Sequence, residues 1–237
     1  RQALDTELAP KLSAHNDEIS LNAALFARVD ALYAKRDQLG LDPESRQVLE
    51  RRYLGFVFAG ARLKDADKEQ LKKYNEELST LTTQFRQNVL KSTKDNALVV
   101  DSAAELDGLS ADQVSAAAEA AKTRKLEGKW VLTLQNTTTQ PLLAQLKDRA
   151  LRQRLYQASI SRNNGGALDN TALIARIVKL RAQRAVLLGY PNHAARVLAD
   201  EGAGTPAAVN KMLSDLAPAA IANTKAEAAE LQQLIDA

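Results

Sequence analysis

Two histidines and no cysteine bound the metal and nucleophile chemistry open to this 237-residue chain. A catalytic metal takes about three side-chain ligands, and paired histidines serve best at four-residue spacing, which stacks both imidazoles on one helical face. His15 and His193 stand far apart, and neither has a histidine near it. His193 follows Asn192, a helix-capping residue, at a position that suits a solvent-exposed or capping side chain, and His15 sits in a stretch that reads as a polar turn. Neither is expected to bind metal. The acid pairs Glu76-Glu77 and Asp200-Glu201 lack the apolar enclosure that would tune a carboxyl for acid–base work, so both are expected on solvated faces. There is no G-x-S-x-G elbow and no placed histidine base for serine chemistry. Gly165-Gly166 and Gly202-Ala203-Gly204 are too short for phosphate loops and read as helix breaks. No catalytic, cofactor-binding or metal-ligating residue is assigned.

The elements that would position any chemistry are helices. Apolar residues make up 45% of the chain and aromatics only 4%, a balance that favours closely packed helices over a sheet sandwich. The expected fold is mostly α, a multi-helix assembly with a small β-helix-β excursion whose strands lie near 97–100 and 130–134. Residues 1–96 read as helical, 97–140 as the mixed excursion and 141–237 as helical again.

The stretch from Tyr156 to Leu198 carries the clearest punctuation. Asn163-Asn164-Gly165-Gly166 breaks the chain, because glycine adopts positive φ cheaply and asparagine side chains satisfy a local turn. Asp169, Asn170 or Thr171 can cap the helix that follows. Ile174, Ile177, Val178, Arg181, Ala185 and Leu188 then recur at helical spacing, widened by Leu173, Leu180 and Leu187, which predicts a helix from about Asn170 to Leu188 covered on more than one side. Gly189 ends it, with Tyr190 beside it and Pro191 preventing continuation.

Elsewhere, Leu4, Leu8 and Leu12 predict an opening helix bent or ended near Pro10. Asn22 caps a second, with Leu25, Phe26, Val29, Leu32 and Tyr33 on one face and Gly40 closing it. Asp42-Pro43-Glu44 starts a third, carrying Val48, Leu49, Arg52, Phe56 and Ala59. Asp65 or Asp67 opens the longest, where Leu71, Tyr74, Leu78, Leu81, Phe85 and Val89 form a coiled-coil-like seam to about Lys91. Ala97–Val100 and Trp130–Leu134 are β-rich runs, expected as antiparallel neighbours, on either side of a helix from Ser110 to about Arg124. Asn136–Pro141 reads as a polar loop. Thr205-Pro206 starts a last helix that Pro218 is expected to kink or split, and its rhythm of Ile221, Leu231, Leu234 and Ile235 runs to Ala237 with no stop signal, as in a chain that is cut. Those last side chains are expected to be uncovered.

The charge balance of 32 − 29 = +3, with both signs mixed along the chain, gives no basic stripe for nucleic acid. Arg149, Arg152 and Arg154 are expected on a solvated face. No apolar run approaches the ~20 residues that span a bilayer, and the opening RQALDTELAP is not a signal peptide. A soluble, cytoplasmic protein is expected, with the periplasm also compatible; the absent initiator Met suggests that an upstream segment was removed.

Several strings taken in order carry a family likeness. Asn163-Asn164, Leu180-Arg181 and Leu187-Leu188-Gly189-Tyr190-Pro191-Asn192 with Ala194 resemble the N-terminal half of the thimet oligopeptidase family of zinc peptidases, closest to its bacterial peptidyl-dipeptidases, or dipeptidyl carboxypeptidases. Ala9-Pro10-Lys11-Leu12, Leu21-Asn22, Ala24-Leu25-Phe26-Ala27-Arg28 and Leu134-Gln135-Asn136-Thr137-Thr138 look like the same subgroup. The resemblance implies a parent zinc metallopeptidase that releases dipeptides from the C-terminus of short peptides. This chain would be a non-catalytic channel wall partnered by the missing C-terminal catalytic half. The family's H-E-x-x-H helix is not in this sequence, so zinc is expected in the parent protein and not in this chain, which alone is expected to be inactive. A free-standing helical scaffold or interaction module is the alternative.

Overall fold

The computed structural model describes residues 2–237, and for 136–140 the backbone alone. Ten helices and two strands are described: α1 (Gln2–Ser20), α2 (Ala23–Ala34), α3 (Pro43–Ala59), α4 (Asp65–Asp95), β1 (Leu98–Val100), α5 (Ala111–Lys122), β2 (Trp130–Leu132), α6 (Asn136–Gln145), α7 (Arg149–Ile160), α8 (Thr171–Leu187), α9 (His193–Leu198) and α10 (Pro206–Asp236). The mostly α class with a small β excursion is therefore the observed one. The chain forms two compact units, one of Arg1–Asn16 with Asn75–Val178 and the other of Asp17–Tyr74 with Lys179–Ala237.

The first unit holds the larger apolar core. β1 and β2 pair antiparallel with Val99 opposite Val131, as their short apolar runs predict. Two lone strands are marginal in water, and here Val100, Leu132 and Leu134 bury into a cluster with Leu106, Ala117, Leu142, Leu146, Leu151 and Leu155 from the surrounding helices and loops. α5 starts on a complete capping box, Ser110 Oγ accepting from the Gln113 N–H while the Gln113 side chain accepts from the Ser110 N–H. The turn at Gly108 packs against the end of α6, where Lys147 N–H donates to the Asp107 carbonyl at 2.9 Å. A Cβ on Gly108 would lie 2.1 Å from the Gln145 carbonyl oxygen, and its φ is +99°.

The arginines of α7 are not simply solvated. Arg152 donates to the carbonyls of Leu146 and Lys147 at 2.6 and 2.8 Å, closing the C-terminal end of α6, and Arg154 joins Glu105 to the Val99 carbonyl at 3.0 and 3.1 Å. Arg149 stays exposed.

The break before α8 forms as its residues predict, with positive φ at Asn163, Gly165 and Gly166. The capping is divided. Asp169 accepts from the backbone N–H and hydroxyl of Thr171, while Asn170, 1% exposed, turns inward. Its Oδ1 accepts from Asn88 Nδ2 at 2.8 Å and its Nδ2 donates to the Phe85 carbonyl at 3.3 Å, tying the start of α8 to α4.

In the second unit, α2 and α3 meet through aromatic rings. Tyr33 and Tyr53 stack with centroids 3.7 Å apart, Phe26 approaches both Tyr53 and Phe56, and the Arg36 guanidinium lies over Tyr33. Tyr53, which the periodicity reading left out, is the buried residue of α3, whereas Val48 is exposed. Asn22, Asp42, Asn192 and Thr205 cap their helices through their side chains as expected. At Gly189 the N–H groups of Tyr190 and Gly189 reach the carbonyls of Ala185 and Val186, the paired bonds of a Schellman end.

Other expectations need correction. α1 runs through Pro10 to Ser20, which makes His15 helical and not part of a turn. Proline deprives the carbonyl four residues back of its donor, but Thr6 is exposed and water can take that bond. α10 likewise is not split at Pro218 and continues through it, with Ser214 exposed. α2 ends at Ala34, ahead of Gly40, and the run read as a polar loop at Asn136–Pro141 is helical backbone of α6. α8 is covered on one side only: Ile177, Leu180 and Ala185 are buried, while Ile174 and Val178 are exposed.

Two substitutions test this account. Gly108→Ala places a methyl group against backbone at positive φ and should destabilise the protein by roughly 3 kcal/mol or more in urea unfolding. Asn170→Ala leaves the Asn88 amide and the Phe85 carbonyl without their partner and should cost about 2–3 kcal/mol, whereas Asn88→Ala with Asn170 retained should cost less.

Candidate functional site

The residues singled out for chemistry are dispersed. His15 is exposed on α1, and His193 is the first residue of α9. Among the described residues no group of three or more His, Cys, Asp or Glu is placed to hold a metal ion. Each acid pair contributes one member to a bidentate ion pair and is not merely solvated: Glu77 receives Arg176 at 2.6 and 2.7 Å, and Asp200 receives Arg51 at 2.5 and 2.9 Å. The hydrogen bonds from these arginines hold both carboxyls below the usual carboxylate range. They are structural ties that keep each carboxylate ionised, the opposite of what a general acid requires.

A cleft of about 220 Å³ opens between α5, β2 and α6, walled by Ala117, Ala120, Leu132 and Leu142, with Gln113 and Thr133 as polar groups. It has no ionisable lining residue, so it offers packing space and no acid–base chemistry.

The concentration of charge lies around the Gly189 turn. Arg181 and Arg184 occupy the last two turns of α8, and His193 and Arg196 lie one turn apart on α9. Arg184 occupies a position in the buried stripe of α8, in step with Ile177, Leu180 and Leu187. Burial first, and then the neighbouring charge of Arg196, push its guanidinium down to about 10, with Asp17 acting in the opposite sense. His193 is lowered from its ordinary value by burial, then by Arg181, Arg196 and Arg184. The Nε atoms of Arg184 and Arg196 are both buried without a hydrogen-bond partner.

The single-face reading of α8 put Arg181 in its stripe and overlooked Arg184 and Arg196. The available signal was the pair of three-residue spacings, Arg181 to Arg184 and His193 to Arg196, on either side of a glycine turn.

Residues 142–237 match the family model for Peptidase family M3. The chain is 44% identical over 236 residues to a dipeptidyl carboxypeptidase of Escherichia coli strain K12, covering 99% of this chain and 35% of the relative. It is 34% identical over 176 residues to an organellar oligopeptidase A of Arabidopsis thaliana, with 72% and 22% covered. Oligopeptidase A of Escherichia coli strain K12 is 30% identical over 240 residues, with 98% and 35% covered. The chain thus spans about a third of the length of the bacterial relatives it matches. The match to Peptidase family M3 thus lies across the C-terminal helices, and the similarity to these peptidases runs along nearly all of the chain.

Proposed function

We propose that residues 1–237 are the N-terminal, non-catalytic portion of a zinc-dependent metallopeptidase that releases dipeptides from the C-terminus of oligopeptides. The observation that carries this reading is the 44% identity to a dipeptidyl carboxypeptidase along 99% of the chain. Its helical stretches, 1–96 and 141–237, with the mixed excursion of 97–140 between them, would form one wall of a channel that admits short, unfolded peptides. Selection by such a wall is mechanical, since folded proteins cannot enter.

Zinc does not fit the donor set of this chain. His15 and His193 stand far apart in sequence, there is no cysteine, and the carboxylates of Glu77 and Asp200 are held by arginines. A zinc site needs about three converging ligands and an open position. The metal and the activated water would belong to a catalytic half, which is the partner this portion requires. No residue here is assigned a catalytic, cofactor-binding or metal-ligating role.

Short peptides are the substrate class, and neither nucleic acid nor membrane is a partner. No helix among the described residues is long and apolar enough to cross a membrane. The location proposed is cytoplasmic, with the periplasm as the alternative.

The test compares the 237-residue chain with the longer reading frame on a short peptide blocked at its N-terminus, with zinc added and then chelated. The longer protein should release the C-terminal dipeptide and lose that activity to the chelator; the 237-residue chain should show no cleavage above buffer. Chelator-sensitive cleavage by the short chain would overturn the non-catalytic assignment. An inactive longer protein, loaded with zinc and folded, would overturn the peptidase reading itself.

A further inference from the structure

An amphipathic helix in a folded protein keeps its apolar side against another element. α10 has such a side, yet it buries none of its residues. Leu213 and Leu231 stand 18 residues apart, as do Leu216 and Leu234, and five turns of 3.6 residues bring each pair back to the same side. Met212 and Ile235 flank them. All six are more than half exposed, from 53% at Leu213 to 76% at Leu234 and Ile235. Single exposed leucines are ordinary, but an apolar side that runs ~35 Å along one helix marks an interaction surface.

The middle of this side is polar and acidic. Glu227 lies four residues before Leu231 and seven before Leu234, on the same side, and accepts from Asn223 Nδ2 at 2.8 Å. The two lysines of α10, Lys211 and Lys225, fall on the opposite side.

That pattern of charge selects the occupant. A second copy of the same face would bring no cation to Glu227, so pairing would seal two unmatched carboxylates. Helices that lie on a membrane surface are rich in Lys and Arg on their polar side, whereas α10 carries two lysines against the four acids Asp215, Glu227, Glu230 and Asp236. A covering segment of the same polypeptide meets neither objection. The family match runs through α10, and about two thirds of the length of the bacterial relatives lies outside the region that this chain matches, ample to cover such a face.

We propose that this side of α10 is the docking surface for the rest of the same polypeptide, which lays an apolar patch along Leu213, Leu216, Leu231 and Leu234 and places a Lys or Arg opposite Glu227. The identity of that partner as a catalytic half rests on the peptidase reading; the sidedness of the surface does not.

The experiment uses the longer reading frame with single cysteines placed on α10, and follows their alkylation by N-ethylmaleimide, peptide by peptide, by mass spectrometry. Residues 1–237 contain no cysteine of their own. Ala220→Cys and Leu234→Cys lie on the apolar side, Ala222→Cys and Ala229→Cys on the opposite one. All four positions are exposed in residues 1–237, so slow labelling in the native longer protein reports cover that the rest of the chain supplies. Ala220→Cys and Leu234→Cys should react at least about tenfold more slowly than the other two in native protein, and all four alike in urea. Glu227→Lys should lower the thermal midpoint of the longer protein by roughly 2 °C or more, and Glu227→Gln by less.

Equal labelling on the two sides, whether fast or slow, overturns the proposal. So does protection found only in a dimer fraction, which assigns a second copy, or only with anionic vesicles, which assigns a membrane surface. A Glu227→Lys midpoint at or above that of the unaltered protein overturns it as well, by removing the basic partner. Sided protection in a longer protein that cleaves no peptide supports the docking surface and sinks the peptidase reading alone.

Discussion

The buried amide of Asn170 is the constraint on which the start of α8 depends. A primary amide sealed from water must find partners for its donors and its acceptor, or the fold loses the desolvation energy of each. Asn170 finds them on α4, in Asn88 and the Phe85 carbonyl, while its own N–H reaches the Asn163 carbonyl. Those bonds fix where α8 begins and in what rotational phase. A helix starting in another phase would present a different stripe for burial, and the face shared by Ile177, Leu180 and Arg184 would not be the one turned inward.

That phase explains which parts of the structure could be read from sequence. Helix punctuation could, because a cap or a stop acts within a few residues: Asn22, Asp42, Asn192 and Thr205 all cap as their types predict, and Gly189 closes α8 in the left-handed region. The pairing of Val99 with Val131 was legible too, since each run is short and a one-residue slip would turn every side chain to the other face. Which side of α8 is covered was not legible. Apolar residues surround much of its circumference, so periodicity alone could not tell Ile174 and Val178, which face outward, from Ile177 and Leu180, which do not.

Charged residues show the same limit more sharply. Taken singly, Glu77, Asp200, Arg152 and Arg154 look like a solvated surface, and their composition supports nothing else. Their partners stand far away in sequence: Arg176 for Glu77 and Arg51 for Asp200, with backbone carbonyls for the two arginines of α7. Such pairs depend on how helices come together, a property that local spacing does not encode. Exposed pairs add little to stability in general. Their bidentate geometry acts instead on orientation, since a guanidinium fork accepts a carboxylate in few arrangements.

The two units differ in how they hold their helices. In the first, a continuous apolar cluster from Val100 to Leu155 covers both strands and makes the β excursion stable despite its size. In the second, the ring stack of Tyr33, Tyr53, Phe26 and Phe56 joins α2 to α3, but α10 buries none of its residues and leaves Met212, Leu216, Ile221, Leu231, Leu234 and Ile235 exposed. What supports α10 is local: its Thr205 cap with Pro206 in the first turn, its abundance of alanine, and side-chain pairs such as Lys211–Asp215 and Asn223–Glu227. Pairs of this kind give only a few tenths of a kcal/mol each. Most helix stability in proteins comes instead from packing an apolar face, so α10 is the element whose order depends least on the buried contacts of its own unit.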